Sequence, residues 1–72
     1  MDDSEEDIEL VEGRVIEALP STLFRVETND GKIFISYLGG RMRVNKIKVL
    51  VGDKVVVQID QYGGKGRIVK RL

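Results

Sequence analysis

Thr22-Leu23-Phe24-Arg25-Val26-Glu27-Thr28-Asn29-Asp30-Gly31-Lys32-Ile33-Phe34-Ile35-Ser36-Tyr37-Leu38 reads as two strands folded back on each other. Apolar and polar residues alternate along Thr22 to Thr28, which places Phe24 and Val26 on one inward face. Asn29-Asp30-Gly31 brings together residue types that tolerate the positive φ of a tight hairpin. In the returning strand, Lys32 to Leu38, Ile33, Ile35 and Tyr37 share one face, and Lys32, Phe34 and Ser36 share the other. Tyr37 is expected to have the core-facing parity of Phe24, which leaves Phe34 as an exposed aromatic.

Outward from this hairpin the same period continues. Upstream, Val11, Gly13, Val15 and Leu19 alternate with Glu12, Arg14 and Ala18, a first strand ending at Pro20-Ser21 with a glycine where it can coil or bulge. Downstream, Gly39-Gly40 ends the third strand. Arg41 to Lys46 is too short and too charged for a core helix, so one helical turn or a loop is expected. Ile47 to Val51 is brief, and Gly52-Asp53 is a turn. Lys54-Val55-Val56-Val57-Gln58-Ile59 is a fourth strand with Val55, Val57 and Ile59 on one side. Gln61-Tyr62-Gly63-Gly64-Lys65 is a glycine-rich hairpin loop, and Arg67 to Leu72 is a fifth strand. Five short strands with a small insertion between the third and fourth predict an all-β fold, a five-stranded OB-fold Greek-key barrel whose closure removes exposed edges. Residues 8–72 are expected to form this one domain. Residues 1–7, with Met1 as the one strongly apolar residue, are expected to be a disordered acidic tail.

The 72 residues contain neither cysteine nor histidine. The commonest proton shuttle, the commonest metal ligand and the most reactive nucleophile are therefore missing. Ser4, Ser21 and Ser36 have no histidine base, and the carboxylates are concentrated in the N-terminal tail, where no fixed acid–base separation is held. Gly63-Gly64-Lys65-Gly66 lacks the spacing of a phosphate-binding loop. No enzymatic activity, cofactor or metal is expected. Absence of cysteine fits a reducing cytoplasm, and no apolar run is long enough to span a membrane.

A formal net charge of zero conceals a separation. Residues 1–12 carry seven acids and no base, which leaves residues 13–72 with five acids and all twelve bases, a formal +7. Arg41-Met42-Arg43-Val44-Asn45-Lys46-Ile47-Lys48 gathers four of those bases into one run with no carboxylate interleaved. Such a run is commonly a solvated face. Its place after Gly39-Gly40 in an OB-type barrel, with Arg67 and Arg71 on the last strand, points instead to RNA phosphates, which the arginine fork grips through paired hydrogen bonds. Met42 either packs into the barrel mouth or lies against a base. Exposed aromatics are limited to Phe34 and Tyr62. Scarce stacking beside abundant charge favours folded RNA over a long splayed strand. Two other readings remain at this level: a general RNA chaperone of the cold-shock kind, and a protein-interaction barrel that uses its acidic tail.

Glu12-Gly13-Arg14-Val15, Leu19-Pro20-Ser21-Thr22-Leu23-Phe24-Arg25-Val26, Gly40-Arg41-Met42-Arg43, Val51-Gly52-Asp53-Lys54-Val55 and Lys65-Gly66-Arg67-Ile68-Val69, in this order and spacing, resemble bacterial translation initiation factor one. The resemblance runs from Ile8 to Arg71. It implies a factor that binds the small ribosomal subunit at the decoding (A) site, contacts ribosomal RNA, and cooperates as a monomer with initiation factors two and three. The positions it assigns to RNA contact are Arg41, Arg43, Lys48, Lys65 and Arg67, with Arg25 and Arg71 as helpers and Asn45 and Lys46 within the loop. The chain departs from the family at Tyr37, Leu38 and Gly39, where histidine, isoleucine and serine are usual. It also departs at Lys46, where an aromatic or a histidine is common, and at Lys70, where an aromatic is frequent.

Overall fold

Strands form where the period-2 pattern predicts them. In chain order they are β1 (Ile8–Leu19), β2 (Leu23–Thr28), β3 (Ile33–Leu38), β4 (Lys54–Asp60) and β5 (Gly66–Arg71), with one short helix, α1 (Gly40–Val44), between β3 and β4. The structure, a computed structural model, describes residues 8–60 and 63–72; the expectations for the acidic tail and for Gln61 and Tyr62 lie outside those residues. The strands close into a barrel in the order β1-β2-β3-β5-β4. The β3–β5 pair is parallel and the other four pairs are antiparallel. This is the five-stranded OB-type barrel expected from the pattern.

Val15, Phe24, Val26, Val55, Val57 and Ile68 fill the interior from all strands but β3, and Met42 and Val49 close it from outside the sheet. Val11, Leu38, Ile47 and Ile59 pack against that cluster. Alternation along β1 holds through Val15. There a bulge at Ile16 shifts the pairing, so that Val15 faces Val26 but Glu17 faces Arg25. The extra residue removes Leu19 from the inner row, where alternation had placed it, and pairs it with Leu23.

The face of β3 is the reverse of that expected. Val26 pairs with Phe34 and Phe24 with Ser36, and directly opposed residues point to the same side. Phe34 and Ser36 therefore turn inward, and Ile33, Ile35 and Tyr37 turn outward. The cause is the turn. The Thr28 amide donates to the Lys32 carbonyl at 2.8 Å, and the Gly31 amide donates back to the Thr28 carbonyl at 2.9 Å. The loop is thus the three residues Asn29-Asp30-Gly31, with Gly31 at φ 84°. One loop residue more or fewer exchanges every side chain of the returning strand between core and solvent.

An inward Ser36 fits because little space remains there. It is fully buried, and its hydroxyl donates to the Phe34 carbonyl at 3.3 Å. Its parallel partner across to β5 is Gly66, where an added Cβ would stand 2.5 Å from Val57 Cγ1 and 2.8 Å from Ser36 Oγ. Small residues at 36 and 66 let β3 and β5 approach across the filled interior. Elsewhere Asp53 serves as the expected turn residue: its carboxylate accepts from the Leu50 amide at 2.8 Å, and its own amide donates to the Leu50 carbonyl at 3.0 Å.

Two outcomes follow from this packing and this hairpin. Gly66→Ala is expected to destabilise the barrel by about 1–3 kcal/mol through overpacking, read as a melting temperature lowered by about 4–8 °C per kcal/mol for a domain of this size. Gly40→Ala, whose Cβ meets nothing within 4 Å, serves as the tolerated control; equal melting temperatures for the two variants would refute the packing account. The second outcome concerns Asp30, whose carboxyl accepts from the Thr28 hydroxyl and is held below its ordinary pKa chiefly by that bond. Its stabilising effect is present above the unfolded carboxyl's pKa and is lost as pH falls through the lowered folded value. Thr28→Val should raise the Asp30 pKa, observed by NMR titration of its carboxyl carbon, and an unmoved titration would assign the shift elsewhere.

Candidate nucleic-acid interface

Five residues are too few for an isolated helix in water, so α1 exists because its surroundings hold it. At its start the Gly39 amide donates to the Ile68 carbonyl of β5 at 2.8 Å. In its middle Met42 is 2% exposed and forms part of the core, which settles its role in favour of the barrel mouth. At its end the Ile47 amide donates to the Met42 carbonyl at 2.9 Å, and the Lys46 amide to the Arg43 carbonyl at 3.1 Å. These two bonds make a Schellman termination with the left-handed position occupied by Lys46, at φ 53°, instead of the usual glycine.

Burial of Met42 sends its two neighbours to opposite sides. Arg43 goes to an open groove of about 760 Å³, which Lys46, Lys48, Ser21 and Thr22 also line, with Met42, Leu38 and Ile47 as its floor. Three cations meet there, with no carboxylate among the described residues of the lining. Ser21 (φ 64°), Thr22 (φ 58°) and Lys46 are the non-glycine residues with positive φ among those described, and all three line this groove. Left-handed backbone is strained for such residues, most of all for β-branched threonine, and strain of this kind concentrates at functional sites.

Arg41 goes to the other side, where it lines a hollow of about 190 Å³ with Gly39, Gly40, Arg67 and Val69. Arg67 in turn lines a third hollow of about 200 Å³ with Lys65, Tyr37, Gln58 and Asp60. Met42 links the first two sites and Arg67 the last two. The structure thereby joins Arg41, Arg43, Lys46, Lys48, Lys65 and Arg67 into one basic belt along α1, its following loop and the start of β5.

Other site residues expected from the sequence have different surroundings. Arg25 is ion-paired with Glu17 at 2.9 Å across the β1–β2 pair. Arg71 donates to the Lys48 carbonyl at 2.8 Å, which braces the loop that carries Lys48. Asn45 is exposed, and its backbone amide caps α1 by donating to the Arg41 carbonyl at 3.0 Å. Tyr37, expected in the core from alternation, lies instead on the outer face beside Arg67, its strand partner. The Arg67 Nε–H donates to the phenolic oxygen at 3.4 Å, and the guanidinium stands 5.8 Å from the ring centroid. Phe34, the expected exposed aromatic, is the inward one. Counting three loop residues between Thr28 and Lys32 is the signal that finds this exchange. Among the described residues no cluster of acids is arranged to hold a metal ion, and no helix is long and apolar enough to cross a membrane.

Known proteins with this barrel include an initiation factor and parts of larger proteins. The solution structure of translation initiation factor one from the Wolbachia endosymbiont strain TRS of Brugia malayi superposes with a TM-score of 0.79 at 35% identity, covering 99% of this chain and 85% of that one. YjeQ from Thermotoga maritima (TM-score 0.74, 28% identity) and YloQ, a circularly permuted GTPase (TM-score 0.77, 31% identity), match over 89% of this chain. The match takes in only 23% of each, so that likeness is to one segment of a longer protein. The family model described as translation initiation factor 1A / IF-1 matches residues 2–72. By that match, and by the likeness to the Wolbachia factor over 99% of this chain, the chain belongs to the translation initiation factor 1A / IF-1 family, a family of initiation factors and not of enzymes.

Proposed function

We propose that this initiation factor binds the small ribosomal subunit at its decoding (A) site, with the belt from Lys48 through Arg43 and Arg41 to Arg67 and Lys65 gripping ribosomal RNA. The observation that carries this reading is the groove of Arg43, Lys46 and Lys48, whose described lining has three cations, no carboxylate and all the strained non-glycine backbone of the described residues. Phosphate recognition needs charge that is dense, local and unpaired by neighbours, because each neutralised phosphate releases a condensed counterion. Arg41 and Arg43 supply planar forks on either side of a buried methionine, so their backbone positions are held while their heads stay free to seat on phosphates. Arg71 acts indirectly by bracing the Lys48 carbonyl, and Arg25 and Asn45 are auxiliary contacts. The barrel works as a cytoplasmic monomer that occludes the decoding site, with initiation factors two and three as its cooperating partners.

The outward Tyr37 favours, by one ring, the alternative of a cold-shock type RNA chaperone. A chaperone of splayed strands needs several stacking platforms in series. A single ring beside a belt of cations fits docking on a folded RNA better.

Affinity for isolated small subunits should fall steeply with salt, with a log–log slope on the order of −4 for a belt of this size. Arg41→Ala with Arg43→Ala should flatten the slope by about 2 while leaving the melting temperature in place. A salt-independent affinity, or protection of ribosomal RNA away from the decoding site in a footprint, refutes the reading. Lys46→Gly separates stability from binding. It relieves a left-handed residue and should not destabilise the fold, yet it should weaken subunit binding through the lost cation; unchanged binding would remove Lys46 from the interface.

A further inference from the structure

We infer that Tyr37, Arg67 and Lys65 form a nucleotide subsite, in which one unpaired RNA base stacks on the Tyr37 ring while the two cations hold its phosphate. This rests on the RNA-binding reading above and adds a base contact to a surface so far described by its charge. Across the outer face of the barrel, pairings align Leu23 with Tyr37, Tyr37 with Arg67, Arg67 with Gln58 and Gln58 with Leu10. An aromatic ring thus stands in a row with a cation on one side and an apolar side chain on the other. The sheet below it is rigid, since Phe24, Ser36, Val57 and Ile68 beneath this row are all buried.

Arg67 stands over the ring toward its phenolic end. Its Nε–H reaches only the phenolic oxygen, and 5.8 Å from the centroid is near the outer limit of a cation–π contact. A base that stacks on the ring then has the guanidinium within reach as a second stacking surface, since bases stack on both kinds of surface. Gly39 makes this placement possible. A Cβ at residue 39 would stand 3.0 Å from the Ile68 carbonyl oxygen, 3.1 Å from Arg67 Cγ and 3.3 Å from its Cδ, so a side chain there would crowd the arginine stem.

The adjoining hollow of about 200 Å³ is below the roughly 300 Å³ at which pockets for drug-sized ligands begin, a size suited to one flat base. Gln58 offers an amide donor and acceptor to a base edge, and Lys65 and Arg67 supply positive charge at the rim. Asp60, the one carboxylate among the described residues of the lining, has an interaction of its own. An aromatic platform with a base-reading amide and two cations matches a nucleotide more fully than an acidic peptide, which has no use for the ring.

The test uses the full chain carrying Tyr62→Phe, so that Tyr37 is its one tyrosine, labelled with carbon-13 for NMR. A single-stranded pentaribonucleotide should move the Tyr37 ring resonances upfield, and an abasic oligomer of equal charge should not. Equal shifts from the abasic oligomer or from an acidic peptide, or no shift at all, overturn the subsite. With small subunits, Tyr37→Leu should weaken affinity by roughly 5- to 150-fold, the range found when a stacking ring is removed, and Tyr37→Phe, which keeps the ring and loses only the hydroxyl that Arg67 donates to, should weaken it far less. Salt-dependent subunit binding that Tyr37→Leu leaves unchanged overturns the subsite and keeps the proposed function. Base-dependent ring shifts without any subunit binding support the subsite and overturn that function.

Discussion

The hydrogen bond from the Thr28 amide to the Lys32 carbonyl limits the β2–β3 hairpin loop to three residues, and much of the molecule depends on that count. It sets the pairing of Val26 with Phe34 and of Phe24 with Ser36, and so directs Ser36 into the barrel and Tyr37 out of it. With a small side chain inside β3, β5 can run alongside in parallel with Gly66 opposite Ser36. That parallel strand carries Arg67 next to Tyr37, and its Ile68 carbonyl receives the Gly39 amide that starts α1. A loop of two or four residues would turn Tyr37 inward and Ser36 outward.

Met42 does for α1 what the hairpin does for the sheet. Neither propensity nor length can hold a five-residue helix, so its position comes from one buried thioether, one amide bond to β5 and a two-bond termination. Packing and charge are carried by alternate residues, with Met42 inward and Arg41 and Arg43 outward. Cations placed this way contribute little to the core. Their repulsion is tolerated because all of them face water, where like charges interact weakly. Arg71 adds a different kind of support: its guanidinium holds the Lys48 carbonyl across from β5, which limits how far the loop after α1 can move away from the barrel.

Most of this was legible in the sequence, for reasons that also explain the exceptions. Period-2 alternation marked five strands, since each has one buried face, and the run from Arg41 to Lys48 identified the belt, since four cations without an acid are readable by counting. Three features depended on offsets that alternation does not record. The faces of β3 follow its register with β2 across the three-residue loop and not its own apolar alternation, the bulge at Ile16 moved Leu19 off the inner row, and the Schellman bonds put Lys46 in a conformation that its residue type argues against. The outward Tyr37 was hidden for the first of these reasons. The ion pair of Arg25 with Glu17 was invisible for the second, because only the bulged register brings those residues opposite each other.

Net charge and local charge have separate consequences for how such a surface meets RNA. At a formal net charge of zero the chain has little attraction for a polyanion at long range, and at physiological ionic strength the Debye length of about 8 Å screens what remains. Within that distance the composition of the surface decides. Among the described residues, no carboxylate lines the two sites beside α1, whereas Glu9 and Asp30 share a different hollow with Thr28 and Phe34. On the proposed reading, a phosphate meets its densest attraction where the belt faces it. A uniformly basic barrel would bind any duplex nearby. A chain of zero net charge whose cations are concentrated in a belt requires orientation before it gains energy, and on the proposed reading this favours a single shaped site over the excess of ordinary RNA helices around it.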